Sequence, residues 1–264
     1  MITDHFPEIQ GLIIDMDGVL WRDTQPIGDL PAIFNHISAL GLKVILATNN
    51  ATRTIDEYHH KLRNFGVELE AWQVINSAEA VGIDLQNRYP DGADVFVVGA
   101  PSLKATLEAH GFRVLPEEDT KADVVVASMD FALTYDKLRH ASLLIQNGSF
   151  FVGTNPDATL PTPQGFIPGS GTVIGALEIA SGQKARIIGK PQPALYEIAL
   201  TRLQTAPDRT LAIGDRLETD IAGGQAAGTC TALVLSGASS IEQAQRYHPR
   251  PDLIAKDLSE LLFS

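Results

Sequence analysis

Two carboxylates one residue apart, Asp15 and Asp17, end an apolar run at Leu12–Ile14 and are followed at once by Gly18. Side chains alternate along a strand, so both acids point the same way if the backbone stays extended, and Gly18 lets it turn directly afterwards. Buried acids this close are costly unless something positive lies between them. A hard divalent cation meets that need, and Mg2+ favours a few carboxylates together with phosphate oxygens. The plainer alternative is a solvated turn with a capping aspartate.

Two further apolar runs end in the same way. Lys43–Ala47 runs into Thr48, Asn49 and Asn50, and Thr210–Ile213 runs into Gly214 and Asp215, with Asp220 soon after. Gly189-Lys190-Pro191 precedes the third run. Ligands of open parallel sheets bind outside the carboxyl ends of the strands. Three such endings and a lysine therefore make a candidate site for phosphoryl transfer. Asp15 is the candidate nucleophile, able to form an aspartyl-phosphate. Asp17 is the candidate general acid for the leaving oxygen and then base for water. Asp215 would complete a metal site with Asp15. Thr48 offers a hydroxyl, and the N–H groups of Asn49 and Asn50, read as a helix start, suit phosphate oxygens. Lys190 would neutralise the nucleophile and the transferring group.

Plainer roles stand beside these. Thr48 and Asp220 suit helix N-caps, the latter before a helix expected over 221–227, and Lys190 suits an exposed surface. Arg216 and Glu218 are candidates for contact with substrate or metal-bound water. Trp21 follows the acidic turn and either packs or touches substrate. Cys230 reads as core. His59 and His60, on a polar helix, read as solvated.

The elements that must position these residues alternate between strand and helix. A helix over 30–40 separates the first two apolar runs, and another over 55–65 follows the second; such alternation is the signature of a parallel sheet covered by helices. A second alternating series occupies the middle, with strands near 93–99, 122–128 and 150–155. A loop rich in Pro and Gly follows at 156–171, then a helix near 173–180. The last third returns to the first pattern. No composition break marks the middle series, which is either more of one sheet or an inserted domain.

With 264 residues and 44% apolar content the chain can bury one large core or two. A formal net charge of −12 argues against nucleic acid and anionic membranes as partners. No apolar run approaches the ~20 residues of a membrane span, and no basic-then-apolar leader is visible. The single cysteine excludes an internal disulfide. A cytoplasmic location is expected.

The four clusters resemble the haloacid dehalogenase superfamily of phosphatases: Asp15-Met16-Asp17-Gly18 its first motif, Thr48 its second, Lys190 its third, and Gly214-Asp215 with Asp220 its fourth. The forms Thr48-Asn49-Asn50, Gly189-Lys190-Pro191, Thr154-Asn155-Pro156-Asp157 and Pro168-Gly169-Ser170-Gly171 resemble its NagD-like and p-nitrophenylphosphatase-like subgroup. The resemblance implies a Rossmann-like α/β core at 1–78 and 184–264, with an inserted α/β cap of the C2 type at 79–183. It implies that Asp15 and Asp215 bind Mg2+ through side chains and Asp17 through its main-chain carbonyl, with Asp220 orienting them from behind. A homodimer through the cap is a further expectation. Asp rather than Thr at position 17 separates the chain from the P-type ATPases of the superfamily. The expected activity is Mg2+-dependent hydrolysis of a small phosphorylated metabolite: a sugar phosphate, nucleotide, phosphoglycolate or pyridoxal phosphate. The alternatives are a phosphomutase and a non-catalytic protein that binds a phosphate ligand.

Overall fold

The apolar run before Asp15 forms strand β1 (Gly11–Ile14), every residue of it buried, as a strand covered on both faces must be. The computed structural model describes residues 2–162 and 164–263. In chain order the further strands of the two larger sheets are β2 (Lys43–Thr48), β3 (Val74–Asn76), β4 (Asp94–Val98), β5 (Arg113–Val114), β6 (Val124–Ala127), β7 (Phe150–Gly153), β8 (Arg186–Ile187), β9 (Thr210–Gly214), β10 (Cys230–Val234) and β11 (Leu253–Ala255). They form a sheet of six in the order β11-β10-β9-β1-β2-β3 and a sheet of five in the order β8-β7-β6-β4-β5.

The chain divides accordingly into two units. Met1–Thr48, Ile55–Ile75 and Lys190–Ser264 make the first; Asn49–Thr54 and Asn76–Gly189 make the second. These divisions fall a few residues from those read in the sequence, and the short segment Asn49–Thr54 joins the second unit.

In the first unit β1 lies parallel between β9 and β2, with Ile14 opposite Ile213 on one side and Leu46 on the other. The chain builds outward from β1 through β2, and later returns to build outward the other way through β9 and β10. That reversal makes β1/β9 a topological switch point, where open α/β sheets bind their ligands. Helix Leu30–Ala39 links β1 to β2. It begins at Asp29, whose carboxylate accepts from Ala32 N–H at 3.1 Å, and it buries Leu30, Ile33 and Ile37. These side chains join Leu12, Ile14, Leu46, Trp21 and Ile213 in one apolar cluster. Each such burial is worth roughly 1.5–3 kcal/mol, which makes the strand ends a firm platform.

The second unit has its own apolar cluster, including Phe96, Val98, Val125, Phe151, Ile174 and Leu177, and all its registered strand pairs in the five-stranded sheet are parallel. Helix Ser77–Arg88 opens it, capped by Asn76, whose side chain accepts from Glu79 N–H at 2.9 Å; the sequence reading assigned no helix there. The expected loop at 156–171 holds an antiparallel pair, Thr159–Thr162 with Gly165–Pro168. Proline reads as loop but is tolerated on edge strands, and a two-stranded ribbon has only edges.

His59, expected to be solvated, is 7% exposed. It sits beside Tyr58 and Leu62 on the buried face of helix Ile55–Asn64, whereas His60 is exposed. No helix among the described residues is long and apolar enough to cross a membrane.

Candidate active site

Three adjacent parallel strands deliver the candidate residues to one sheet edge. Asp15 directly follows β1 and extends its ladder, with its N–H donating to Ile213 O at 2.9 Å. Asp215 directly follows β9, and Thr48 closes β2 in a buried position. The sequence spacing places all three at carboxyl ends.

Lys190 sits at the centre and is 2% exposed, so it is not a surface lysine. Its Nζ donates to Asp15 Oδ1 at 2.5 Å, to Asp220 Oδ1 at 2.6 Å and to Ala47 O at 2.9 Å. An ammonium has three protons to give, and each of these acceptors is within reach of one.

Asp220 does not cap the following helix. It lies inside a π-type turn, Leu217–Ile221, and the α-helix proper is the shorter Ala222–Ala226. The wider turn lets Asp220 reach both ways: Oδ2 accepts from Arg216 N–H at 3.0 Å, and its carbonyl accepts from Tyr196 OH at 2.9 Å. Turns of this kind are frequent at functional sites.

Asp215 Oδ2 accepts from Ala238 N–H at 2.6 Å. Its Oδ1 is buried and has no hydrogen-bond partner. Two glycines let the chain pass this carboxylate. A Cβ at either Gly18, whose φ is +88°, or Gly237 would overlap it.

The oxygens of Asp15, Asp215 and Asp220 come within 4.8 Å of one another. Burial pushes the Asp15 carboxyl well above the usual range despite Lys190 beside it. Burial, then the charge of Asp220, pushes Asp215 up to about 7. Burial alone would lower Lys190, but Asp15 and Asp220 outweigh it and hold the ammonium protonated. One positive charge therefore faces three acids, and protons make up the difference. An unpartnered buried oxygen, hard carboxylate donors and a deficit of positive charge together fit a hard divalent cation.

Asp17 is exposed at the rim, and its Oδ1 accepts from Trp21 Nε1 at 2.8 Å. Arg216 acts on Asp215, its positive charge opposing the upward shift. Glu218 is exposed and acts on Tyr247 instead. Cys230 is only half-buried.

Asn49 and Asn50 are not at a helix start, since that helix begins at Ile55. Asn50 Oδ1 accepts from Thr52 N–H at 3.0 Å and Thr52 Oγ at 2.7 Å, a local turn of the kind asparagine favours. Asn49 belongs to the second unit, where its Nδ2 donates to Asp157 Oδ2 at 2.9 Å and its carbonyl accepts from Ser77 Oγ. The sequence reading also missed the Gly237–Ser239 loop that holds Asp215. Its signal was position: the loop follows β10, the strand next to β9.

The family profile for haloacid dehalogenase-like hydrolases matches residues 12–113, and a second, HAD-hydrolase-like profile matches residues 187–261. An acid sugar phosphatase of Staphylococcus aureus (strain MRSA252) is 31% identical over 255 residues, covering 97% of each chain. The crystal structure of a 4-nitrophenylphosphatase from Thermotoga maritima superposes with a TM-score of 0.92 at 31% identity, over 100% of this chain and 99% of that one. NagD from E. coli K-12 gives 0.86 at 31% identity, over 96% and 98%.

Proposed function

Because the chain belongs to the haloacid dehalogenase-like hydrolases, and is a phosphoric monoester hydrolase among them, we propose that it cleaves small phosphomonoesters in a Mg2+-dependent reaction that passes through a phosphoryl group carried on Asp15. The observation that carries this reading is Lys190, buried between Asp15 and Asp220 next to an Asp215 oxygen with no partner. A ligand-binding protein has no need of an acid held as a nucleophile against a buried lysine.

Asp15 attacks phosphorus through a carboxylate oxygen, and Lys190 orients that carboxylate and, by its charge, favours its anion against the effect of burial. Asp17 gives a proton to the departing oxygen and then takes one from the water that attacks the phosphoryl group. Thr48 donates its hydroxyl to a phosphoryl oxygen. Asp15 and Asp215 would hold Mg2+ by carboxylate oxygens and Asp17 by its carbonyl, with Asp220 steadying Lys190 behind them. When bound, the ion stabilises negative charge on the phosphoryl oxygens. The name of the staphylococcal relative makes sugar phosphates the first class to test, by release of inorganic phosphate. Isomerised sugar phosphate without release would mark a mutase.

The covalent step has its own test. Asp17→Asn keeps the nucleophile and removes the proton carrier, and p-nitrophenolate leaves as an anion without help. A quenched reaction of this variant with p-nitrophenyl phosphate is expected to show a phosphoryl mass gain on the peptide containing Asp15. A normal burst of p-nitrophenol with unmodified Asp15 would sink the proposal.

A further inference from the structure

The turn that carries Asp17 is tied down within the first unit. Gly18 N–H donates to the Trp21 carbonyl at 2.8 Å. Ser236 Oγ donates to the Gly18 carbonyl at 2.7 Å, and Arg22 Nε donates to the Ser236 carbonyl at 2.8 Å. Trp21 is wholly buried inside this frame, yet its Nε1 reaches the exposed Asp17 at Oδ1, 2.8 Å away. Over its ring Lys61 Nζ stands 4.0 Å from the centroid and donates to Asp23 O at 2.8 Å. Trp21 also packs against Phe65, with ring centroids 5.9 Å apart and planes tilted by 35°. The indole therefore has one place to be.

An indole N–H donates and never accepts. It can occupy one carboxylate oxygen without competing for the proton the acid is to transfer. A buried indole needs some acceptor, and any backbone carbonyl would serve for packing alone; here the acceptor is the carboxylate proposed to move the proton.

We infer that Trp21 is a positioning residue for proton transfer: its buried N–H holds Asp17 Oδ1 and so presents Oδ2 to the leaving-group oxygen. This rests on the role proposed above for Asp17. An exposed carboxylate is otherwise free to rotate, and proton transfer needs it within hydrogen-bond reach of the departing oxygen. The damage of losing the N–H must then depend on whether the leaving group needs a proton.

The test compares kcat/KM for glycerol 2-phosphate, an alkyl ester, with that for p-nitrophenyl phosphate; kcat/KM reports the step in which the leaving group departs. Trp21→Phe keeps an aromatic ring and removes the donor. As a second variant, benzothienylalanine incorporated in a Trp72→Phe background keeps the bicyclic shape at position 21 and removes only the N–H; the chain has two tryptophans. Both are expected to lose about 10- to 100-fold more on the alkyl ester than on p-nitrophenyl phosphate, the scale of a hydrogen bond to a charged group. Asp17→Asn should show the same asymmetry, larger. If Trp21→Phe does not fold, the benzothienylalanine protein decides. Equal losses on both substrates, or none, would overturn the role of Trp21 while an asymmetric Asp17→Asn leaves the underlying reading in place. A symmetric Asp17→Asn would overturn both.

Discussion

Lys190 and the acids around it set the charge balance on which both stability and catalysis rest. Lys190→Met should leave Asp15 and Asp220 facing each other without a cation between them. Breaking a buried pair in this way costs ~3–5 kcal/mol, so the urea midpoint of the chelated protein is expected to fall, and steady-state turnover to drop by at least ~100-fold. An unchanged midpoint would mean that the two acids simply take up protons. The acids also predict a pH dependence. Asp215 is pushed from an ordinary 3.8 to about 7 in the folded chain, so the folded state holds a proton that the unfolded state releases. That contribution is fully present below pH ~4 and is lost as pH rises through about 7. Urea titrations in chelator should therefore give lower stability at pH 8 than at pH 5, and Mg2+ should restore more stability at pH 8, where it displaces no proton. Equal gains from Mg2+ at both pH values would count against a shared proton-and-metal site.

At the level of elements, the strands that carry the site were legible and the turns between them were not. Apolar runs ending in Asp15, Thr48 and Asp215 follow directly from the requirement that a covered parallel strand be apolar until it emerges. The turn at Leu217–Ile221 reads in the sequence as a loop before a helix over 221–227 with Asp220 as its cap, because its polar residues suit a loop and a cap as well as they suit a wide turn. The burial of His59 was hidden because its helix is polar in sum and only the face shared with Tyr58 and Leu62 turns inward. The contact from Trp21 to Asp17 has no sequence signal beyond proximity. Glycine is the exception, since it marks where chains pass closely without saying what they pass. Gly237→Ala is expected to displace the Asp215 carboxylate, which its Cβ would overlap, and to weaken Mg2+ affinity measured by calorimetry at least ~10-fold, the equivalent of about 1.4 kcal/mol. Gly175→Ala is the control: nothing lies within 4 Å of its added Cβ in helix Ser170–Ser181. It should leave Mg2+ affinity unchanged and raise helix stability by ~0.5–1 kcal/mol. Equal metal affinity in both variants would remove Asp215 from the proposed Mg2+ site.

The whole molecule is two parallel α/β units threaded by one chain, and this is why its boundaries could not be read from composition. Both units use the same grammar of apolar strand, turn and amphipathic helix, so nothing changes in the sequence at Ile75/Asn76 or at Gly189/Lys190. What differs is where each stores its stability. The strand ends that carry Asp15 and Asp215 belong to the cluster of Leu12, Ile14 and Ile213, while β6 and β7 belong to a separate cluster around Val125 and Phe151. A ligand that binds only the native first unit should stabilise that unit alone. At 100 times its Kd the gain is ~2.7 kcal/mol, equivalent to ~100-fold slower exchange wherever amides open only with the unit that binds it. Hydrogen exchange with and without Mg2+ is therefore expected to show slowing in peptides from β1, β9 and the loop at Gly237–Ser239, and no change in peptides from β6 and β7. Equal slowing in both sets would show that the units open together and that the two clusters are one cooperative structure. Slowing confined to β6 and β7 would move the cation away from the acids of Asp15 and Asp215 altogether.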